Sequence, residues 1–324
     1  MKRVPHALTH GGNVSIRRPF GKATIMKSRS SDRANEFQPF NKQVVIENLY
    51  KHVEYLSVNI GDRHLWKEHS LSMAAEYIES SFNVSGYAVE RQTYSCYGKT
   101  VSNLIVERAG TGDGVVVVGA HYDTVPGTPG ADDNASALAG LLELARLHQG
   151  SLNRKHLIFV AFVNEEPPYF GFRNMGSMVY ASHLKDQKVS VDVMISLEMI
   201  GFFCRERIQK YPLACMRFLY PKTADFIGVV GNFRSSKYVS LLKKGINKHA
   251  SIKAKALTAP EYFGGINLSD NYSFWHHGYR AVMITDTAFF RNKNYHQETD
   301  TIDTLNFEGM TEVVRGLYRT LQEI

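Results

Sequence analysis

Val115-Val116-Val117-Val118-Gly119-Ala120-His121-Tyr122-Asp123-Thr124, then a Pro/Gly-rich loop, then Gly130-Ala131-Asp132-Asp133-Asn134-Ala135-Ser136, is the stretch that decides the fold. Residues 115–118 form an unbroken β-branched run, the pattern of a strand buried on both faces. The run leads into His121 and Asp123, two residues apart and so on the same side of an extended chain. Over residues 136–148 apolar side chains recur at helical spacing. Asp132, Asp133 and Asn134 stand just ahead of that helix, where its dipole stabilises carboxylates, so capping alone would account for them. Capping does not account for a His-x-Asp at the carboxyl end of the strand, the edge where open α/β sheets bind ligands. A strand end and a helix start that bring imidazole and carboxylate together signal a metal site.

Outward from that stretch, the chain alternates. Residues 43–56 and 66–82 read as helices, the second with Leu71, Ala74, Ala75 and Ile78 at helical spacing. Residues 87–94 and 101–108 read as a strand pair turning at Tyr97-Gly98-Lys99. A second buried strand, 157–163, runs into Asn164-Glu165-Glu166-Pro167-Pro168; a short helix covers 178–184; a strand at 191–197 ends in Glu198. A strand at 226–230, a helix at 236–250, a strand at 281–285 and an amphipathic helix at 305–321 complete the chain. This alternation predicts a three-layer α/β/α fold with a mixed, mostly parallel central sheet. No repeat or linker interrupts residues 41–324, which predicts one catalytic domain there.

With 324 residues, 44% of them hydrophobic, the chain can bury a sizeable core. The net charge of +7 does not point to nucleic acid. Residues 1–40 hold eight Lys/Arg against Asp32 and Glu36, so +6 belongs to that stretch and the remainder is almost neutral. Residues 1–40 have no apolar period and predict a disordered basic tail. They contain no apolar h-region, which predicts a cytoplasmic location, although similar proteins are often exported. No stretch reaches membrane-spanning length. Cys96, Cys204 and Cys215 fit no close-spaced zinc pattern, and three free thiols are expected rather than a Cys204–Cys215 bridge.

Three successive strands thus end in imidazole or acid: His121/Asp123, Glu165/Glu166 and Glu198. Each ending alone has an ordinary surface explanation. Together with Asp132-Asp133 they gather on one rim, and so many acids in one place need cations to balance their repulsion. Residues 292–301, Asn-Lys-Asn-Tyr-His-Gln-Glu-Thr-Asp-Thr, add His296 just after the last strand.

Five motifs now stand in order: His121-x-Asp123, Asp132-Asp133-Asn134-Ala135-Ser136, Asn164-Glu165-Glu166, Leu197-Glu198-Met199-Ile200-Gly201 and Tyr295-His296…Asp300-Thr301. Over residues 41–324 the chain resembles the M28 family of co-catalytic zinc aminopeptidases. The resemblance implies the zinc-exopeptidase (phosphorylase/hydrolase-like) fold and two Zn2+ per chain. By position, His121 and Glu198 would bind one zinc, Glu166 and His296 the other, and Asp133 would bridge them, with Asp132 the alternative. Glu165 would be the general base, acting on a metal-bound hydroxide, and Asp123 would orient His121. Asp270 matches a carboxylate near the metals, and Tyr295 stands beside the last ligand, where it would support that ligand or meet the substrate. The implied substrate is a peptide with a free N-terminus, losing its N-terminal residue. Two departures stand out: Glu198 where the family often has Asp, and Asn271 where relatives commonly have His.

Elementary chemistry agrees with this set. Zinc takes imidazole nitrogen and carboxylate oxygen, and a two-metal site shares a carboxylate between its ions. Glu165 and Glu166 are adjacent, so in extended backbone one would face the metal and the other the substrate. Two other readings remain open. A glutaminyl-cyclase-like acyltransferase would use one zinc and place Trp beside the last His ligand, but Tyr295 stands there and the only tryptophans are Trp66 and Trp275. A non-catalytic binding domain of this fold would have no need of the full ligand set. Tyr262, Phe263, Phe290 and Tyr295 are the expected pocket aromatics.

Overall fold

The computed structural model describes residues 40–324; residues 1–39, and with them nearly all of the expected tail, lie outside the described residues. Eight strands form one sheet in the order β1-β2-β4-β3-β5-β8-β6-β7. β3 (Val115–His121), β4 (His156–Phe162), β5 (Val193–Glu198) and β8 (Ala281–Thr285) are its parallel centre. β1 (Glu90–Cys96) and β2 (Lys99–Arg108) form a hairpin added antiparallel to β4. β6 (Phe226–Gly231) runs antiparallel to β8 and pairs in parallel with the edge strand β7 (Lys253–Thr258). The mixed, mostly parallel expectation therefore stands.

Every residue of β3, β5 and β8 is buried, as the β-branched runs require for a sheet covered on both faces. Helices α1 (Lys42–Glu54), α2 (Glu68–Val84), α3 (Ala137–Gln149), α5 (Ser236–His249) and α7 (Phe307–Glu323) supply side chains to the core on one face. The smaller α4 (Gly176–Asp186) and α6 (Asn271–His276) supply the other. At the hairpin tip Tyr97 and Gly98 both have positive φ, 49° and 77°, the geometry of a two-residue turn that follows the twist of its strands.

Two elements have no counterpart in the sequence reading. β7 carries Lys253 and Lys255, and such charges protect an edge strand while masking its apolar alternation. α6 spans only six residues, too few for a helical period to declare itself. All three cysteines are free. Among the described residues no helix is long and apolar enough to cross a membrane.

Candidate metal centre

The carboxyl ends of β3, β4, β5 and β8 point to one rim, and the connections leaving them carry nearly every polar group singled out above. His121 is the last residue of β3 and is fully buried. Its Nδ1 lies 3.1 Å from the main-chain oxygen of Asp123, an acceptor that leaves Nε2 to face the rim as a lone pair. The Asp123 carboxylate stands 3.7 Å from Nδ1 and accepts instead from the amides of Glu165 and Glu166, each at 3.1 Å. Asp123 thus orients His121 through its backbone and the Glu165-Glu166 turn through its side chain.

Asp133 lies between the two imidazoles. Its Oδ1 is 3.4 Å from His121 Nε2, and its Oδ2 is 3.1 Å from His296 Nε2. Glu198 Oε2 is also 3.4 Å from His121 Nε2, and Glu166 Oε2 is 3.4 Å from His296 Nε2. Donors on a tetrahedral zinc, at bonds of about 2.0–2.1 Å, stand about 3.3–3.4 Å apart. His121 Nε2, Asp133 Oδ1, Glu166 Oε1 and His296 Nε2 are buried without a hydrogen-bond partner. The imidazole–carboxylate pairs are close enough for hydrogen bonds but not aligned for them, and nitrogen and oxygen donors converging in this way fit zinc.

Asp132 faces away from the histidines. Its Oδ1 accepts from Ser136 Oγ and the Gly201 amide, and its Oδ2 accepts from Asn292 Nδ2 at 2.7 Å. Neither aspartate caps α3, whose first turn receives no side-chain cap. Asn134 ties the same turn to the end of β5, donating to Leu197 O and accepting from the Met199 amide.

Glu165 and Glu166 do not part company as extended neighbours would. Asn164, with φ 58°, bends the chain, and both carboxylates enter the cluster. Glu165 Oε2 lies 3.8 Å from His121 Nε2, on the Glu198 side, while Glu166 meets His296. Burial, only partly offset by His121, pushes the Glu165 carboxyl well above its usual range. Burial and then the Asp133 charge push Glu166 up to about 8. Burial raises Glu198, and it raises Asp270, a buried residue at the start of α6, to about 7. Burial works against the Asp133 anion as well, but the neighbouring His121 and His296 hold it well below the carboxylate range. Crowded buried carboxylates whose proton affinity is raised in this way make a candidate site for cations.

A sequence profile for peptidase family M28 matches residues 103–320. The chain belongs to peptidase family M28. The Escherichia coli (strain K12) protein YfbL is 38% identical over 284 residues, covering 85% of this chain and 87% of its own. Among solved structures, BSAP, a zinc aminopeptidase from Bacillus subtilis, superposes with a TM-score of 0.70 at 16% identity, over 90% of this chain and 96% of that one. A glutaminyl cyclase from Porphyromonas gingivalis does so at 0.63 and 16%, over 86% and 98%. This M28 chain is thus a peptidase by family, with the α/β fold these structures share.

Beside the candidate metal cluster an apolar pocket opens over β8, β6 and β7. Glu198, Leu268, Met283, Phe289, Phe290 and Tyr295 are among the residues that line it. Tyr295 also stacks on His296, ring centroids 3.7 Å apart. Two of the four expected aromatics are therefore here. Tyr262 is 87% exposed, and Phe263 packs against the α4/α6 core instead.

Sequence reasoning missed the groups that hold the site's backbone. Asp300 accepts from the amides of Asp132 and Asp133, both at 3.0 Å. Arg63, fully buried in the connection between α1 and α2, donates to the carbonyls of Leu56, Gly61, Tyr122, Pro129 and Gly130. It clamps both ends of the loop that separates His121 from Asp133. A single Arg in a polar stretch offers no signal of this, because its partners are carbonyls that every residue possesses.

Proposed function

We propose that this M28 peptidase is a two-zinc aminopeptidase whose catalytic domain is residues 41–324, and that it removes large apolar N-terminal residues. The observation that carries the reading is the placement of Asp133, one oxygen toward His121 and the other toward His296. His121, Glu198 and Asp133 would hold one ion, and Glu166, His296 and Asp133 the other. Bound there, the ions would supply Lewis-acid polarisation of the scissile carbonyl and a nucleophile at neutral pH.

The chain's own groups do the rest. Glu165 takes the proton from the attacking water and delivers it to the departing amine; a carboxyl whose affinity for the proton burial has raised suits both transfers. Glu198 and Glu165 accept the substrate's α-ammonium, which confines cleavage to the first residue. The apolar pocket beside Glu198 receives that residue's side chain and excludes water around it. Tyr295 fixes His296 by stacking and forms part of the pocket wall. Asp270 remains a buried carboxyl behind Glu198, which is held by Ser269 Oγ at 2.7 Å.

Metal analysis together with a panel of aminoacyl-anilides tests the reading. Close to two zinc ions per chain, chelator-sensitive turnover and a preference for leucyl over glycyl or glutamyl substrates are expected. The fold likeness to a glutaminyl cyclase keeps one competitor in view. A single zinc in active protein, with cyclisation of glutaminyl peptides and no release of N-terminal leucine, would establish that reading instead.

A further inference from the structure

The apolar pocket occupies the β8-β6-β7 flank of the rim, and the opposite flank holds a second, open depression. It is formed where the β1-β2 hairpin meets the loop that follows Glu166, and it is lined by Ser95, Tyr97, Pro168, Phe172, Arg173 and Asn174. Its position relative to the catalytic groups follows from register. Leu104 of β2 pairs with Ala161 near the carboxyl end of β4, so the hairpin tip beyond Leu104 projects past that end of the strand, on the side where Glu165 and Glu166 follow. The loop side is tied equally closely, since the Tyr169 amide donates to Glu166 O at 2.9 Å and the Phe172 amide to Tyr169 O at 2.9 Å.

This flank carries aromatic surface in water. Tyr97 is 66% exposed, Phe172 67% and Trp66 58%. Tyr97 packs between Tyr169 and Trp66, at centroid distances of 6.0 and 6.2 Å. The row of rings therefore runs outward from the Glu165-Glu166 turn. Clustered exposed aromatics mark a contact surface rather than a folding requirement. Arg173 adds a cation for which no ion-pair partner occurs among the described residues.

A peptide cleaved at its first residue fills the apolar pocket with one side chain, and everything after the scissile bond must leave the rim elsewhere. With β8, β6 and β7 taken by the pocket, the exit lies past Glu165 and Glu166 toward the hairpin. We propose that the groove between Tyr97 and Phe172 seats the substrate residues immediately downstream of the cleaved bond and favours aromatic or large apolar ones. Arg173 draws the C-terminal carboxylate of peptides short enough to end there. This rests on the aminopeptidase reading and adds the direction in which the peptide lies.

The test uses the zinc-loaded full chain with leucinamide, Leu-Gly-Gly, Leu-Phe-Gly and the C-terminal amide of Leu-Phe-Gly. Wild type should prefer Leu-Phe-Gly over Leu-Gly-Gly by up to about tenfold in kcat/KM, mostly through KM, the scale of one aromatic contact. It should also prefer the free carboxylate over the amide. Tyr97→Asn keeps a side chain that tolerates the positive φ of the turn, and with Phe172→Ser it should bring the Phe/Gly ratio toward one. Arg173→Ala should remove the acid/amide difference and leave the Phe/Gly ratio in place. Titrating Leu-Phe-Gly onto the Glu165→Gln protein should change Trp66 emission, and Trp66→Phe identifies the signal.

Leucinamide turnover with no Phe/Gly preference, or a preference that survives both aromatic substitutions, overturns the groove while leaving the aminopeptidase intact. Failure to release leucine from any of these substrates overturns both. A change of oligomeric state in Tyr97→Asn without a change of selectivity shows the rings to be a contact between copies, and overturns the proposal as well.

Discussion

His121 and His148 are equally buried, both fully excluded from solvent, yet the protein treats them in opposite ways. His148 sits in the last turn of α3, with Nδ1 2.6 Å from Asn153 Oδ1 and its ring against Tyr318 at 4.9 Å. Burial there, reinforced by the positive charge of Arg108 and only partly offset by Asn153, pushes its pKa down to about 4. At His121 burial acts in the same direction, but the carboxylates of Glu165 and Glu198 overcome it and hold the imidazolium well above its ordinary range. Desolvation therefore does not decide the charge state; the sign of the neighbours does. One region excludes a proton, and the other demands positive charge that either a proton or a metal ion can provide.

The strongest way to break the comparison is to remove the carboxylate shared by both imidazoles. Asp133→Ala should lose both ions and more activity than any other single change at the rim, as metal content and kcat/KM will show. Glu165→Gln keeps size and polarity but removes the carboxylate proposed as the proton acceptor. It should retain both ions while kcat falls roughly 10²–10⁴-fold. Glu166→Gln should lose one ion, because an amide oxygen is a poor substitute for a carboxylate on zinc. If Glu165→Gln emptied an ion and Glu166→Gln did not, the two roles would be exchanged.

Arg63→Met should destabilise the fold by on the order of 3–5 kcal/mol, since it strands several buried carbonyls at once. Denaturant unfolding measures this, and a loss below about 1 kcal/mol would contradict the clamp.

Protons sharpen the contrast further. With His296 held up at about 10 by Asp133 and Glu166 against its burial, zinc must displace protons at neutral pH. The binding enthalpy should accordingly vary with the buffer's ionisation enthalpy, in the direction of protons released. At His148 the sign is reversed. Its folded pKa of about 4 lies below the unfolded value near 6.5, so between these pH values the unfolded chain holds more protons and stability falls as pH falls. His148 should contribute up to about 1.4 kcal/mol per pH unit and about 3 kcal/mol in all, beside a like contribution from His52, so that its own share is what a substitution removes. His148→Gln should lessen the slope by that share in pH-dependent unfolding.

Legibility divided along physical lines. The central strands were readable because burial on both faces leaves unbroken apolar runs, and their ends were readable because imidazole and acid interrupt such runs abruptly. Asp133 against Asp132 was not separable in this way. The two are adjacent and alike in composition, and only the hydrogen bonds of Asp132 to Ser136, Gly201 and Asn292 turn it from the cluster. The expectation that Glu165 and Glu166 point apart assumed extended backbone, and the positive φ of Asn164 removes that assumption.

Residue type and order by themselves determined that this chain builds a parallel-centred α/β sheet and carries nitrogen and oxygen donors on one rim. Both follow from local pattern: period, β-branching and the chemistry of side chains at strand ends. Tertiary structure alone decided which oxygens meet which nitrogens, that Tyr262 and Phe263 stay out of the pocket, that Arg63 clamps the loop before Asp133, and that the hairpin tip projects past the carboxyl end of β4. These depend on contacts between segments tens to hundreds of residues apart, where register, chain direction and the acceptance of backbone carbonyls leave no mark on composition.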